Sequence, residues 1–357
     1  MEFERIAVLG LGRVGTLAAL LLHEAGFDVV GLDTHQPREG QPYRFQTADL
    51  ADLQALEMTL KSFEGVLSCL PYHLNAGVAA AAHRLGIHYF DLTEDVPTTK
   101  AILQMSQTAK GAIVPQCGLA PGFIGIVGAW LETLFDSTRS LRMRTGALPR
   151  NPTGLLGYAF NWSHEGVVNE YLNDCEIIEN GEKKWVSPME WLELLIIDGV
   201  KYEAATTSGG LGTMCETYLG RVENLDYKSI RYPGHFQQMN FFFHELLMRE
   251  DREQAGKILT HAKPPTDDDV VLVHASAEGV IDGELRRKEF VRSYRPKIIN
   301  DRSWTAIAWT TSASVAAVIE MVGTGKLPRS GFIRQEEIPL DAFLATRNGS
   351  LYRPSAG

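Results

Sequence analysis

Gly10-Leu11-Gly12-Arg13-Val14-Gly15 places three glycines at the spacing that seats a dinucleotide pyrophosphate, provided a strand precedes it and a helix follows. The apolar run 6–9 and the helical pattern 14–25 meet both conditions. Gly10 then serves the tight turn, Gly12 the close approach of the pyrophosphate, and Gly15 the packing of helix on strand. Arg13 and Val14 open the helix, whose amide donors and positive end attract an anion. Asp33 ends the next apolar run, where a carboxylate accepts both ribose hydroxyls of the adenosine half. A carboxylate there repels a 2′-phosphate, so the expected cofactor is NAD in preference to NADP; Arg13 and Arg38 are the side chains that would speak for NADP. Asp49 and Leu50 follow the third run and are expected beside the adenine, with a helix-capping role as the alternative for Asp49.

These residues need a scaffold of alternating strands and helices. Apolar runs at 6–9, 29–32, 44–47, 65–69, 89–92 and 112–114 alternate with helical patterns at 14–25, 53–63, 74–85 and 98–109, the rhythm of a parallel, doubly wound sheet. After Pro121-Gly122 the rhythm changes to longer strands with hairpin signals at Asn180-Gly181 and Asp282-Gly283 and helices such as 236–248. The fold class expected is α/β: a Rossmann dinucleotide-binding domain over 1–122, completed by the segment 304–350, plus an α+β domain over 123–303 with a mostly antiparallel open sheet. The apolar stretch 306–322, closed by Gly323, is expected to be a helix that packs back on the first domain.

The totals limit the function classes. At 357 residues the chain exceeds what one hydrophobic core normally fills. A net charge of −10 offers no basic field for nucleic acid. Cys69, Cys117, Cys175 and Cys215 form no CxxC pair, so neither a metal site nor a redox disulfide is expected. No apolar stretch approaches the ~20 residues that cross a bilayer, and the first residues run straight into a strand pattern; a cytoplasmic protein with no membrane partner is the expectation.

From the fourth strand onward, Gly65-Val66-Leu67-Ser68-Cys69-Leu70-Pro71-Tyr72-His73-Leu74-Asn75 resembles the saccharopine dehydrogenase-like family, lysine 6-dehydrogenases most of all. Further matches are Asp91-Leu92-Thr93-Glu94, Gly118-Leu119-Ala120-Pro121-Gly122, Asn161-Trp162-Ser163, Thr207-Ser208-Gly209-Gly210 and Ile230-Arg231-Tyr232-Pro233-Gly234-His235, so the resemblance spans nearly the whole chain. It implies a Rossmann domain with Leu70, Pro71 and Asn75 at the cofactor. It also implies a second domain whose open sheet covers an amino-acid substrate and pairs two subunits as a homodimer. The implied chemistry is amine–imine interconversion with a nicotinamide as hydride carrier. Oxidative deamination of a lysine-like substrate leads; reductive condensation of an aldehyde with an amine, and a catalytically idle NAD-binding protein, are the alternatives.

Oxidation of an amine by hydride transfer needs the neutral amine, hence a proton acceptor. Tyr72 is the first candidate, because it follows a strand at the carboxyl edge where open α/β sheets bind ligands; a tyrosine packed beneath the cofactor is the plain alternative. Glu94 and Asp91, after the fifth strand, could orient the substrate ammonium, with a structural hydrogen bond to nearby backbone the alternative for Asp91. Cys117 could relay a proton as a polarised thiol. Arg231 could grip the α-carboxylate, with His235 beside it, Thr207 donating to the same group and Trp162 walling the pocket.

Overall fold

The computed structural model describes residues 2–36 and 40–354, so Arg38 lies outside the described residues. The chain forms two compact units, residues 1–126 with 308–357, and residues 127–307. These divisions lie a few residues beyond the 122/123 and 303/304 expected from the sequence.

The first unit begins with strand–helix alternation: β1 (Arg5–Leu9), α1 (Arg13–Glu24), β2 (Asp28–Asp33), β3 (Arg44–Thr47), α2 (Leu53–Leu60), β4 (Gly65–Ser68), α3 (Tyr72–Leu85), β5 (His88–Asp91), α4 (Val96–Met105) and β6 (Ala112–Val114). Every pairing among these strands is parallel, and the order runs β3-β2-β1-β4-β5-β6. Local chemistry sets the helix ends. Asp52 accepts from the Gln54 and Ala55 amides to open α2, Asp95 accepts from Thr98 to open α4, and Gly86 closes α3 at φ 72°. Ala7, Leu9, Val66, Val78, Ala82 and Tyr89 are among the core that the helices bury against the sheet.

The second unit is built on a mixed sheet. After α5 (Phe123–Glu132) come β7 (Ser137–Pro149), α6 (His164–Leu172), β8 (Cys175–Glu179), β9 (Glu182–Val186), β10 (Glu193–Ile197), β11 (Val200–Thr206), α7 (Met214–Tyr218), β12 (Asn224–Arg231), α8 (His235–Asn240), α9 (Arg252–Ala262), β13 (Asp269–Ile281), β14 (Glu284–Tyr294), β15 (Lys297–Ile299) and β16 (Arg302–Trp304). The main sheet runs β10-β11-β12-β7-β13-β14, with β8 on β12 and β9 on β8. Only β12 and β7 pair in parallel; the other pairings are antiparallel. Both expected hairpins turn where two successive residues have positive φ, Asn180 (53°) with Gly181 (80°) and Asp282 (52°) with Gly283 (78°). The sheet is strongly rolled: Ser293 on the β14 edge donates to Asp198, beside β10 on the opposite edge, at 2.6 Å.

One expected helix is not continuous. Within 236–248, α8 stops at Asn240, a π-helical turn covers Phe241–Glu245, and Leu247 has φ 55°. The wider turn shifts the phase of the repeat so that Phe243 reaches the core while Phe241 is exposed.

The chain then enters α10 (Ala306–Gly323), whose first amides, Ala306 and Ile307, donate to the Asp269 carboxylate at 2.5 and 3.0 Å. This helix is 18 residues long and apolar, and 89% of it is buried inside the protein. Ser312 on it donates to the Val14 carbonyl at 2.9 Å. Strand β17 (Gly331–Phe332) then adds in parallel to β6, and α11 (Leu340–Leu344) follows.

Candidate functional site

In the first unit the glycine loop joins β1 to α1. Gly10 has φ 83°, and its amide donates to the Leu32 carbonyl at 2.9 Å, tying the turn to β2. A Cβ on Gly15 would collide with the Gly10 carbonyl oxygen, so helix and turn approach too closely for any other residue. At Gly12 a Cβ would meet nothing within 4 Å, and no side chain caps α1. Open space above uncapped helix amides, where Arg13 and Val14 begin the helix, fits a pyrophosphate.

Asp33, at the end of β2, accepts from the Leu11 amide at 2.6 Å through one oxygen and from the His35 amide and the Thr34 hydroxyl, both at 3.2 Å, through the other. Burial pushes its pKa up, but the Leu11, His35 and Thr34 donors outweigh it and hold the carboxyl below its ordinary value. The carboxylate is therefore charged and fixed beside the glycine turn. Asp49 accepts from the Ala51 amide at 3.0 Å, and Leu50 is buried in the core. The α2 cap is Asp52, not Asp49.

At the neighbouring strand ends, the Leu70 side chain is the nearest group to a Cβ built on Gly10. Pro71 is the N-cap residue of α3, which starts at Tyr72. Asn75 is buried and accepts from the Ser68 hydroxyl at 2.7 Å, which occupies one of the two lone pairs of its side-chain oxygen. Tyr72 is half-buried, with its ring edge-on to His73 at 5.8 Å, and Glu94 is half-buried in the loop after β5.

Asp91 takes the structural role that was its alternative, and Cys117 departs from the role expected of it. Asp91 is fully buried and accepts from the Tyr89 hydroxyl (2.7 Å), the Gln116 amide (2.8 Å) and the Thr93 amide (3.0 Å). Its carboxyl braces the loops after β5 and β6 and does not face an ammonium. Burial outweighs these donors and raises its pKa. Cys117 is likewise fully buried; its thiol points to the Val114 carbonyl at 3.1 Å and lies 3.3 Å from the Gln335 amide nitrogen. Burial, reinforced by Asp91, pushes the thiol far above its ordinary value, so it is an inert packing group and not a relay.

In the second unit the residues around β12 form a buried polar network. The Arg231 guanidinium donates to the Tyr171 hydroxyl at 2.7 Å, to the Ile230 carbonyl at 2.9 Å and to Glu170 at 3.1 Å, with the Tyr158 ring 4.9 Å away. Three of its five N–H groups are thus committed inside the protein. The expected grip on a substrate carboxylate is limited to the other two. His235 Nδ1 lies 2.8 Å from the Leu156 carbonyl, which only accepts, so the proton sits on Nδ1 and Nε2 accepts from Tyr171 at 2.9 Å. Burial and then Arg231 lower its pKa to about 3, so the ring is neutral. Thr207 bonds the Ser229 hydroxyl at 2.8 Å, and Trp162 is half-buried with its indole donating to Tyr158 at 3.2 Å. The buried Thr207 hydroxyl and both His235 nitrogens serve the network and not a ligand, a correction to both expectations.

Sequence reasoning missed Glu170, Tyr171 and Tyr158, which hold Arg231, and Gln335, which holds the Cys117 loop. Glu170 and Tyr171 carried a usable signal: α6 places them together, and a buried arginine requires an anion.

Residues 118–347 match the family model described as the saccharopine dehydrogenase C-terminal domain, and residues 6–114 match that of the saccharopine dehydrogenase NADP binding domain. A curated relative, the NADP(+), L-glutamate-forming saccharopine dehydrogenase of Schizosaccharomyces pombe, is 25% identical over 142 residues, which are 38% of this chain and 31% of that protein. The aligned stretch therefore spans about a third of the curated relative's length. Apo histidine-tagged saccharopine dehydrogenase (L-Glu forming) from Saccharomyces cerevisiae superposes with a TM-score of 0.74 at 15% identity, covering 96% of this chain and 98% of that one, and so shares the fold. With both halves matched by its models, the chain belongs to the saccharopine dehydrogenase family.

Proposed function

We propose that the chain is an NAD-dependent oxidoreductase acting on a carbon–nitrogen bond of an amino acid, a lysine 6-dehydrogenase-like enzyme that deaminates its substrate through an imine. The carrying observation is Asp33, ionised and bonded to the Leu11 amide beside the glycine turn. A ribose diol is a donor that this carboxylate can accept; a 2′-phosphate is an anion that it repels. When bound, the nicotinamide accepts the hydride. The first-turn amides of α1 would hold the pyrophosphate, and Tyr72, as its phenolate, would take the proton that frees the substrate amine and become the neutral phenol. Glu94 orients the ammonium before that transfer.

A homodimer and a cytoplasmic location belong to the same proposal. The dimer is supported by the outer face of strand β10, where Leu194 (60%) and Ile196 (78%) are exposed, an apolar surface that proteins normally cover.

The test is reduction of NAD and NADP, followed at the reduced nicotinamide's absorbance, across lysine, ornithine and saccharopine. The reading expects turnover with NAD and one of these substrates, and a loss of about a hundredfold or more in kcat for Tyr72→Phe. A second reading, NADPH-driven condensation of an aldehyde with an amine, is favoured by the NADP in the name of the N-terminal family model and of the fission-yeast relative. Activity only with NADPH and an aldehyde–amine pair would select it. Absence of turnover in either direction, with NAD still bound, would select the idle reading.

A further inference from the structure

The second unit carries a pocket of about 580 Å³ whose lining includes Tyr171, Asp174, Glu190, His244, Arg249 and Arg252. Its size lies in the range of small-ligand sites. Two cations and two anions line its exposed rim, and among the described residues none of these four side chains forms an ion pair. Instead the cations are held by neutral groups. Arg252 donates to the side-chain oxygens of Asn169 and Asn173, both at 2.8 Å, and Arg249 to His244 Nδ1 at 2.9 Å. Neutral acceptors orient a guanidinium without discharging it, which leaves its charge available to a ligand.

The surrounding backbone is strained. Met189 (φ 60°) and Trp191 (φ 53°) flank the lining residue Glu190, and Leu247 (φ 55°) lies between His244 and Arg249. Bulky residues in the left-handed region persist only where the surroundings impose them, often at ligand sites. A π-helical turn, another feature enriched at such sites, carries His244.

We propose that this pocket binds a free α-amino acid, its carboxylate on Arg249 and Arg252 and its ammonium on Asp174 and Glu190. A zwitterion is the class that uses both signs at once; a dicarboxylate would meet Asp174 and Glu190 with repulsion, and a diamine would meet the two guanidiniums. Tyr171 lines the pocket and is also the hydroxyl shared by Arg231 and His235. The proposed site therefore adjoins that network through Tyr171.

Calorimetric titration of the intact protein with L-lysine, L-glutamate and L-leucine, and with glutarate and 1,5-diaminopentane as probes lacking one charge, tests this without reference to turnover. At least one amino acid is expected to saturate a site, with glutarate and diaminopentane at least about tenfold weaker. The double variant Arg249→Ala/Arg252→Ala should weaken that amino acid at least about tenfold while keeping NAD affinity and thermal stability, since both arginines are exposed. Asp174→Asn should weaken it as well. Binding that is unchanged in the double variant would place the ligand elsewhere and overturn the proposal. So would saturation by none of the three amino acids, or glutarate binding as tightly as they do.

Discussion

Lowering the pH from 7 to 5 titrates the buried network of the second unit at Glu170, which burial raises to about 7, and comparison with a variant at His235 isolates the contribution of that ring. His235 is neutral because both nitrogens are committed, Nδ1–H to the Leu156 carbonyl and the Nε2 lone pair to the Tyr171 hydroxyl, with the Arg231 guanidinium donating to that same hydroxyl. Protonating Nε2 would turn an acceptor into a donor and set a second buried cation beside Arg231. The folded pKa of about 3 lies below the ordinary 6.5. A depressed histidine adds stability that is complete above the unfolded pKa and is lost as pH falls from 6.5 toward 3. The full gap corresponds to about 5 kcal/mol, of which about 2 kcal/mol is lost by pH 5. Five of the six tryptophans, Trp130, Trp162, Trp185, Trp191 and Trp304, lie in this unit, so their emission during urea unfolding reports on it. The wild type should lose about 2 kcal/mol more between pH 7 and 5 than His235→Gln, which should be less stable at pH 7 but less sensitive to acid. Equal acid losses in the two proteins would refute the reasoning.

His88 in the first unit follows the same sign: burial lowers its pKa to about 4, and its Nδ1 accepts from the Ala112 amide at 3.0 Å, so His88→Gln should flatten the acid loss of that unit. Gly15→Ala should weaken dinucleotide binding at least about tenfold, measured by fluorescence titration with NADH, because its methyl group would force the Gly10 turn away from α1. Cys117→Ala should keep kcat within about twofold, since a buried, protonated thiol takes no part in proton transfer; a hundredfold loss would restore the thiol to the chemistry.

The first unit was legible because its signals are local. The strands at 44–47 and 112–114 match β3 and β6, and glycine spacing, strand-end acids and apolar runs each sit within a few residues of what they determine. The hairpins at Asn180-Gly181 and Asp282-Gly283 were readable for the same reason, as two residues fix the turn. What stayed hidden depends on partners far apart in the chain. Arg231 looked like a carboxylate clamp because Glu170 and Tyr171 lie 61 and 60 residues away and nothing near Arg231 reveals them. Cys117 looked available because the Gln335 amide that lies against its thiol is 218 residues distant. The 236–248 helix failed for another reason: apolar periodicity does not register a π turn or a leucine at φ 55°. Likewise the roll of the sheet, closed by Asp198 and Ser293, leaves no pattern within either strand.

The most direct test of the central claim compares the dissociation constants of NAD and NADP for the wild type and for Asp33→Ser. The account expects NAD to bind the wild type at least about tenfold more tightly than NADP, and Asp33→Ser to narrow or reverse that ratio as the repelling charge is removed. Tighter binding of NADP by the wild type, or a ratio indifferent to Asp33, would contradict it.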